Sequence, residues 1–257
     1  MRKIEGLLLD LDGTVYLGRE LIPGAASAIE SLRDAGVPII FTTNTSRKSR
    51  RDVAISLQSM GLSVREEEIL TAPVAAARWL DEQAIERIHL MVPASAREDF
   101  GAFELDGERP QAVVVGDLGS HFTFERMNAA FKGLRSGARL VAIHKNRYWI
   151  TENGPTLDAG PFVAALEYAS GQLAELVGKP SPAFFDAAAS SLGVRRDALA
   201  VVGDDLESDV RGGRAAGLIT VQVQTGKFDA GELDAMPVDE RPHYLVPALA
   251  DVPALLR

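Results

Sequence analysis

Gly6-Leu7-Leu8-Leu9-Asp10-Leu11-Asp12-Gly13-Thr14 is the stretch on which the fold turns. Three consecutive leucines running straight into charge read as a strand buried on both faces that ends at the edge of a parallel sheet. Asp10 and Asp12 stand two residues apart, so on a strand their carboxylates leave the same face. Like charges that close repel and raise each other's pKa. A divalent cation would offset that cost and leave one carboxylate free to attack while the other handles a proton. The competing reading is a strand exit in which an aspartate caps nearby amides. Gly13-Thr14 and the polar clusters downstream weigh against it.

Outward from this strand, apolar runs alternate with helical periodicity, the pattern of an α/β protein with a largely parallel sheet. Ala25, Ala28, Ile29 and Leu32 keep helical spacing within a helix over 24–35, stopped by Gly36. A strand over 37–41 ends at Thr42-Thr43-Asn44, and a polar helix spans 47–60. Between about 72 and 177 the alternation repeats, with apolar runs at 88–92, 112–115 and 140–143, which makes a second α/β unit of about 100 residues. After Gly178-Lys179-Pro180, Ser181 is a helix N-cap and Pro182 a first helical residue. A buried run over 198–202 closes at Gly203-Asp204-Asp205, and strands over 219–223 and near the C-terminus complete the sheet. The expected organisation is therefore a catalytic core of residues 1–72 and 178–257 with a domain of residues 73–177 inserted between its halves.

Four polar clusters share one position, where a strand ends or a helix begins: Asp10/Asp12, Thr43/Asn44, Lys179, and Asp204/Asp205 with Asp209. Open parallel sheets bind ligands at the carboxyl ends of their strands. Asp10 is the candidate nucleophile, since a carboxylate can form an aspartyl-phosphate. Asp12 is the candidate general acid and base. Asp204 and Asp209 are candidate ligands, direct or through water, of Mg²⁺, which prefers hard oxygen donors. Asp205 reads equally as a ligand-orienting group or as the acidic start of a helix, and Glu207 as a solvated helix start. Thr43 and Asn44 suit phosphate oxygens at a helix start, and Lys179 suits the charge of a transferring phosphoryl group. Gly116-Asp117 imitates the Gly203-Asp204 pattern without a matching downstream acid, so Asp117 is expected on the approach to a helix or on the surface of the inserted domain. The basic, aromatic stretch His144–Trp149 is expected to be exposed around a packed tryptophan.

Composition narrows the classes of function. Of 257 residues, 46% are hydrophobic and 25% charged, ordinary for a folded domain of this size. With no cysteine the chain has no disulfide and no thiolate chemistry. A net charge of -9 argues against nucleic acid and anionic membrane as partners, while a metal and one lysine can still reverse the local field for a small phosphorylated substrate. Met1-Arg2-Lys3-Ile4-Glu5 lacks the features of a signal peptide, and no apolar run has the length of a membrane span, so a cytoplasmic location is expected.

The four clusters in this order resemble the haloacid dehalogenase superfamily: Asp10-Leu11-Asp12-Gly13-Thr14, Thr43-Asn44, Lys179-Pro180, and Gly203-Asp204-Asp205 with Asp209. The resemblance implies a Rossmann-like core, Mg²⁺ as cofactor and phosphoryl transfer. It makes Asp10 the nucleophile and Asp12 the acid and base, puts Asp10, Asp204 and the main-chain carbonyl of Asp12 on the metal, and has Thr43 and Lys179 hold the phosphoryl group. The spacing of about 130 residues between the second and third motifs resembles the C2-capped subfamily, in which the inserted domain selects substrate. Phe41–Ser46, Ala142–Lys145, Gly160–Val163 and Thr225–Phe228 resemble the phospholysine phosphohistidine inorganic pyrophosphate phosphatase group within it. Thr45 stands where the wider subfamily often has a second asparagine.

The expected function is thus a Mg²⁺-dependent phosphatase of a small phosphorylated metabolite, with room for a homodimer through the inserted domain. A dehalogenase needs no acid at position 12, and a phosphomutase generally carries a cap soon after the first motif, where 16–36 is too short. An inert binding protein on the same scaffold would be expected to have lost a motif residue, and all are present.

Overall fold

The computed structural model describes residues 3–106, 108–151 and 154–256, apart from the side chains of Ile150 and Thr151. The chain divides into two compact units. The first holds residues 1–43, 53–70 and 179–257, and the second holds residues 44–52 and 71–178.

The first unit begins with β1 (Gly6–Asp10), buried along its whole length. A small hairpin follows, β2 (Tyr16–Leu17) paired antiparallel with β3 (Glu20–Leu21). Helix α1 (Ala25–Asp34) buries the stripe Ala25, Ala28, Ile29 and Leu32, the face that its apolar spacing predicts. Strand β4 (Ile39–Thr43) is buried throughout. Helix α2 (Arg50–Ser59) begins later than its periodicity suggests, because Ser49 accepts the Asp52 N–H at 3.1 Å and closes the first turn there. Strand β5 (Ile69–Thr71) lies at the sheet edge beside β4.

The second unit takes up the chain with α3 (Ala72–Glu82), β6 (Arg87–Met91), β7 (Glu104–Leu105), β8 (Ala112–Val115), α4 (Phe124–Arg135), β9 (Arg139–Ala142), the antiparallel pair β10 (Tyr148–Thr151) and β11 (Gly154–Leu157), α5 (Ala159–Ser170) and β12 (Glu175–Leu176). Its sheet runs β12-β9-β8-β6-β7 with parallel pairing. Strand β8 is apolar at every position because it is covered on both faces. Ala112 and Val114 pack with Ala76 and Leu80 of α3, while Val113 and Val115 pack with Leu134 of α4 and Val163 of α5.

The chain then returns to the first unit. Ser181 caps α6 (Pro182–Leu192), and Gly193 ends it in the left-handed conformation. Strands β13 (Leu199–Gly203) and β14 (Ile219–Val223) are fully buried; between them a π-helical turn, Leu206–Arg211, runs into α7 (Gly212–Ala215). Helix α8 (Ala230–Ala235) and β15 (Tyr244–Val246) finish the sheet, whose order is β15-β14-β13-β1-β4-β5. The pairings of β1 with β13 and β4, and of β14 with β13 and β15, are parallel. Leu9 lies opposite both Val202 and Phe41, so the carboxyl ends of β1, β13 and β4 stand side by side. The chain moves to one side of β1 through β4 and comes back on the other through β13. That reversal opens a crevice at the end of β1.

Two expectations about the second unit are corrected in part. Asp117 does approach a helix, the 3-10 turn Gly119–His121 whose Gly119 N–H it accepts at 2.9 Å, but it is not a surface group: it is buried and pairs with the Arg47 guanidinium at 2.5 Å. His144 is buried as well, with its Nε2 2.9 Å from the Ser46 hydroxyl, while the Arg47 guanidinium lies 4.7 Å from the centre of the half-exposed Trp149 ring. These contacts also draw residues 44–52 to the second unit, although in sequence they continue the core strand β4.

Candidate active site

Asp10 is the last residue of β1 and is 6% exposed. Lys179, the first residue after the second unit, donates from Nζ to Asp10 Oδ1 at 2.6 Å and to Asp209 Oδ1 at 2.7 Å. Asp204 directly follows β13, and one carboxylate oxygen from each of Asp10, Asp204 and Asp209 lies within 4.8 Å of the others. All three carboxylates and the lysine are buried. The first unit thus concentrates three acids and one base in a volume shielded from water.

The glycines explain how the backbone admits this crowding. Gly13 has φ +80°, and a Cβ there would fall 2.0 Å from Asp204 Oδ2; at Gly226, with φ +60°, a Cβ would meet the same oxygen at the same distance. A Cβ at Gly203 would lie 2.3 Å from the Asp209 carboxylate. Only hydrogen fits at these three positions, and two of them also need a left-handed backbone. The π-helical turn carries Asp209 inward, an instance of π geometry at a polar centre.

Electrostatics follow from burial. Desolvation raises the Asp10 carboxyl above its ordinary pKa; Lys179 opposes the rise, and Asp204 and Asp12 add to it. Desolvation, with repulsion from Asp209, likewise raises Asp204. Asp209 is raised by burial against the pull of Lys179. Burial works against the Lys179 ammonium, yet Asp10 and Asp209 overcome it and hold the proton firmly. Three buried carboxylates facing one buried ammonium leave an excess of negative charge that a small cation with oxygen preference would neutralise. The donor set therefore fits a divalent metal ion of the hard class.

The other site residues expected from sequence take varied places. Asp12 is exposed, and its Oδ2 accepts the Tyr16 hydroxyl at 3.0 Å. Thr43 is buried at the end of β4, one residue past the partner of Asp10. Asn44 is the first residue of the second unit. Asp205 caps the π-helical turn, accepting from the N–H groups of Glu207 at 3.0 Å and Ser208 at 2.9 Å, and also pairs with the Lys227 ammonium at 2.9 Å.

Two contributors escape a reading of the four clusters. The loop 225–227 closes over the centre: Lys227 N–H donates to Asp204 Oδ2 at 2.7 Å, and the Thr225 hydroxyl donates to the Gly13 carbonyl. Its sequence signal is Thr225-Gly226-Lys227 immediately beyond a buried strand, the same placement as the other clusters. Tyr16 is the second, visible beforehand only as an aromatic residue four positions past Asp12.

Comparison with known proteins agrees with this geometry. The model of the haloacid dehalogenase-like hydrolase family matches residues 7–105, and a second, HAD-hydrolase-like model matches residues 176–252. Haloacid dehalogenase-like hydrolase domain-containing protein 2 of Bos taurus is 39% identical over 233 residues, 91% of this chain and 89% of its own. The human phospholysine phosphohistidine inorganic pyrophosphate phosphatase is 37% identical over 231 residues, 88% of this chain and 84% of its own. Among solved structures, the 4-nitrophenylphosphatase of Thermotoga maritima superposes with a TM-score of 0.92 at 30% identity, covering 99% of this chain and 98% of that one.

A parallel sheet with buried carboxylates at its crevice, followed by an inserted α/β unit, defines a C2-capped haloacid dehalogenase-type hydrolase. The chain belongs to the haloacid dehalogenase-like hydrolase family and is an enzyme of its phosphatase type.

Proposed function

We propose that this protein is a Mg²⁺-dependent phosphatase that hydrolyses a small phosphorylated metabolite through an aspartyl-phosphate at Asp10. The observation that carries the reading is the buried group of Asp10, Asp204, Asp209 and Lys179 at the end of the central strand. A nucleophilic carboxylate needs to be ionised, oriented and dry. Lys179 favours the ionised form of Asp10 and fixes Oδ1.

In the first half-reaction a carboxylate oxygen of Asp10 forms a bond to phosphorus as the bond from phosphorus to the leaving oxygen breaks. Asp12, in its protonated form, gives its proton to that oxygen. In the second, Asp12 takes a proton from water, the water oxygen bonds to phosphorus, and the bond to Asp10 breaks to release inorganic phosphate. Lys179 and Thr43, with Asn44 next in the chain, hold the phosphoryl oxygens. Asp10, Asp204 and the Asp12 carbonyl are the groups that would hold Mg²⁺, with Asp205 and Asp209 orienting them directly or through water. When bound, Mg²⁺ neutralises the carboxylates and withdraws charge from the phosphoryl group. Residues 73–177 are the substrate-selecting part of the chain. Relatives named as phosphatases support the class of reaction.

The intermediate gives the direct test. After brief incubation with Mg²⁺ and a ³²P-labelled phosphate ester and an acid quench, the wild type should carry acid-stable, hydroxylamine-labile label, and Asp10→Asn should carry none. Label retained in Asp10→Asn would place the nucleophile elsewhere.

A further inference from the structure

We propose that Gln222 is a positioning residue that steadies the Asp209 carboxylate, and through it the Lys179 ammonium, from the sheet beside them; the proposal rests on the role given to Lys179 above. Gln222 lies on β14 and is fully buried, yet neither its amide nitrogen nor its amide oxygen has a hydrogen-bond partner among the described residues. Burying a carboxamide without a bond is costly, and buried polar groups in folded proteins are nearly always bonded. A strand that needed only bulk here would carry an apolar residue, as β14 does at Ile219, Val221 and Val223 on its other face.

Register places this amide next to the centre. Leu9 lies opposite Val202, so Asp10 and Gly203 come next on neighbouring strands, and Gly203 lies opposite Gln222. Residues opposite one another on neighbouring strands turn their side chains to the same face. Gly203 has no side chain, and Asp209 fills the space it leaves: a Cβ there would lie 2.3 Å from Asp209 Oδ2. One strand spacing, about 4.8 Å, separates the root of the Gln222 side chain from that position, a gap a glutamine can span. Asp209 is short of donors on this side. Its Oδ1 receives the Lys179 ammonium at 2.7 Å, whereas among the described residues Oδ2 receives only the Asp205 N–H, at 3.4 Å. The Gln222 amide has two N–H groups to give, and its terminal torsion is broad, so a bond to Oδ2 needs one side chain to turn and no movement of the backbone. No proton is transferred. The bond fixes the carboxylate that holds Lys179, and Lys179 bridges Asp209 to Asp10. Misplacement of such a group is felt most where charge develops on the phosphoryl group.

Gln222→Met keeps the bulk and removes the amide. In Mg²⁺-dependent phosphate release its kcat should fall about ten-fold with KM near the wild-type value, the loss expected when a hydrogen bond to a charged group is removed. If the amide were idle, the same change would relieve a buried unpaired group: kcat would hold and Tm would rise, and that result would overturn the proposal. So would a loss that falls on KM alone. A second readout needs no substitution at position 222. In metal-free, ¹⁵N-labelled protein the side-chain amide signal of Gln222 should shift between the wild type and Asp209→Asn. A signal that Asp209→Asn leaves unmoved would overturn the proposal whether or not Gln222→Met folds. Normal wild-type turnover with an unmoved signal sinks this role alone, whereas a wild type that releases no phosphate from any ester sinks the phosphatase reading and this role with it.

Discussion

At the scale of single residues, the centre is built as much by missing atoms as by charged ones. Asp204 is enclosed by Gly13 and Gly226, and any side chain at either would sit on its carboxylate. Gly226→Ala should therefore displace Asp204 and lower the affinity for Mg²⁺ at least about ten-fold, as outer groups around a metal commonly do when changed. Calorimetric titration of the purified variant checks this, and unchanged affinity would show that the loop yields without cost. Asp10→Asn should abolish turnover while leaving the fold intact, because the amide matches the carboxylate in shape and removes only the proposed nucleophile; near-UV circular dichroism and phosphate release together check both halves. Asp10 and Asp204, which the structure gathers with Asp209, stand out in the sequence because each ends or follows an apolar run, where a solvated acid has no ordinary business. Tyr16 and Lys227 do not, because what makes them matter is a contact formed by folding. Lys227 reaches Asp204 across 23 positions, and Thr225 reaches Gly13 across 212.

At the scale of elements, Asp10 ends β1 and Asp204 follows β13, so two of the three clustered carboxylates stand where strands leave the sheet. Sequence reading succeeds for α6, where Ser181, Pro182 and Gly193 state start and stop locally. It runs long at α2, because the Ser49 hydroxyl closes the first turn by accepting the Asp52 N–H, leaving Arg47 ahead of the helix and engaged by Asp117, seventy residues away. The same distance explains the misplacement of Asp117: no local pattern announces its partner.

The prediction at this scale concerns α5 and the turn into β12. Glu167 accepts the Ala174 N–H and both its oxygens lie 2.9 Å from the Lys145 ammonium. Burial pushes its carboxyl up, but these partners overcome the effect and hold its pKa below the ordinary 4.5. A carboxyl lowered in the folded state contributes stability above that ordinary value and loses it as pH falls through the folded one. Glu167→Gln should thus destabilise the protein by about 1 kcal/mol at pH 7. The gap between the two urea midpoints should narrow as pH falls below about 4.5. A gap that stayed constant with pH would mean that the carboxylate charge contributes nothing.

At the scale of the whole molecule, the excess of buried negative charge couples the metal to stability. A ligand that binds only the folded state stabilises it by about 2.7 kcal/mol at a hundred times its Kd. For a chain of this length that corresponds to a rise in Tm of roughly 5–10 °C. Saturating Mg²⁺ should produce such a rise in the wild type and little in Asp204→Asn, as scanning calorimetry would record. The division into two units was legible as alternation that pauses and resumes, but its boundary at 44–52 was not, since that segment leaves β4 to make its buried contacts with Asp117 and His144 of the second unit. Among the described residues no helix is long and apolar enough to cross a membrane.

The central claim is that metal and Asp10 act together in phosphoryl transfer. Its most direct measurement is release of inorganic phosphate from p-nitrophenyl phosphate, glycerol phosphate and pyrophosphate by wild type and Asp10→Asn, each with Mg²⁺ and with EDTA. Release by the wild type that depends on Mg²⁺, is lost in EDTA and is absent from Asp10→Asn is the predicted result. Undiminished release in EDTA, or substantial release by Asp10→Asn, would contradict the account.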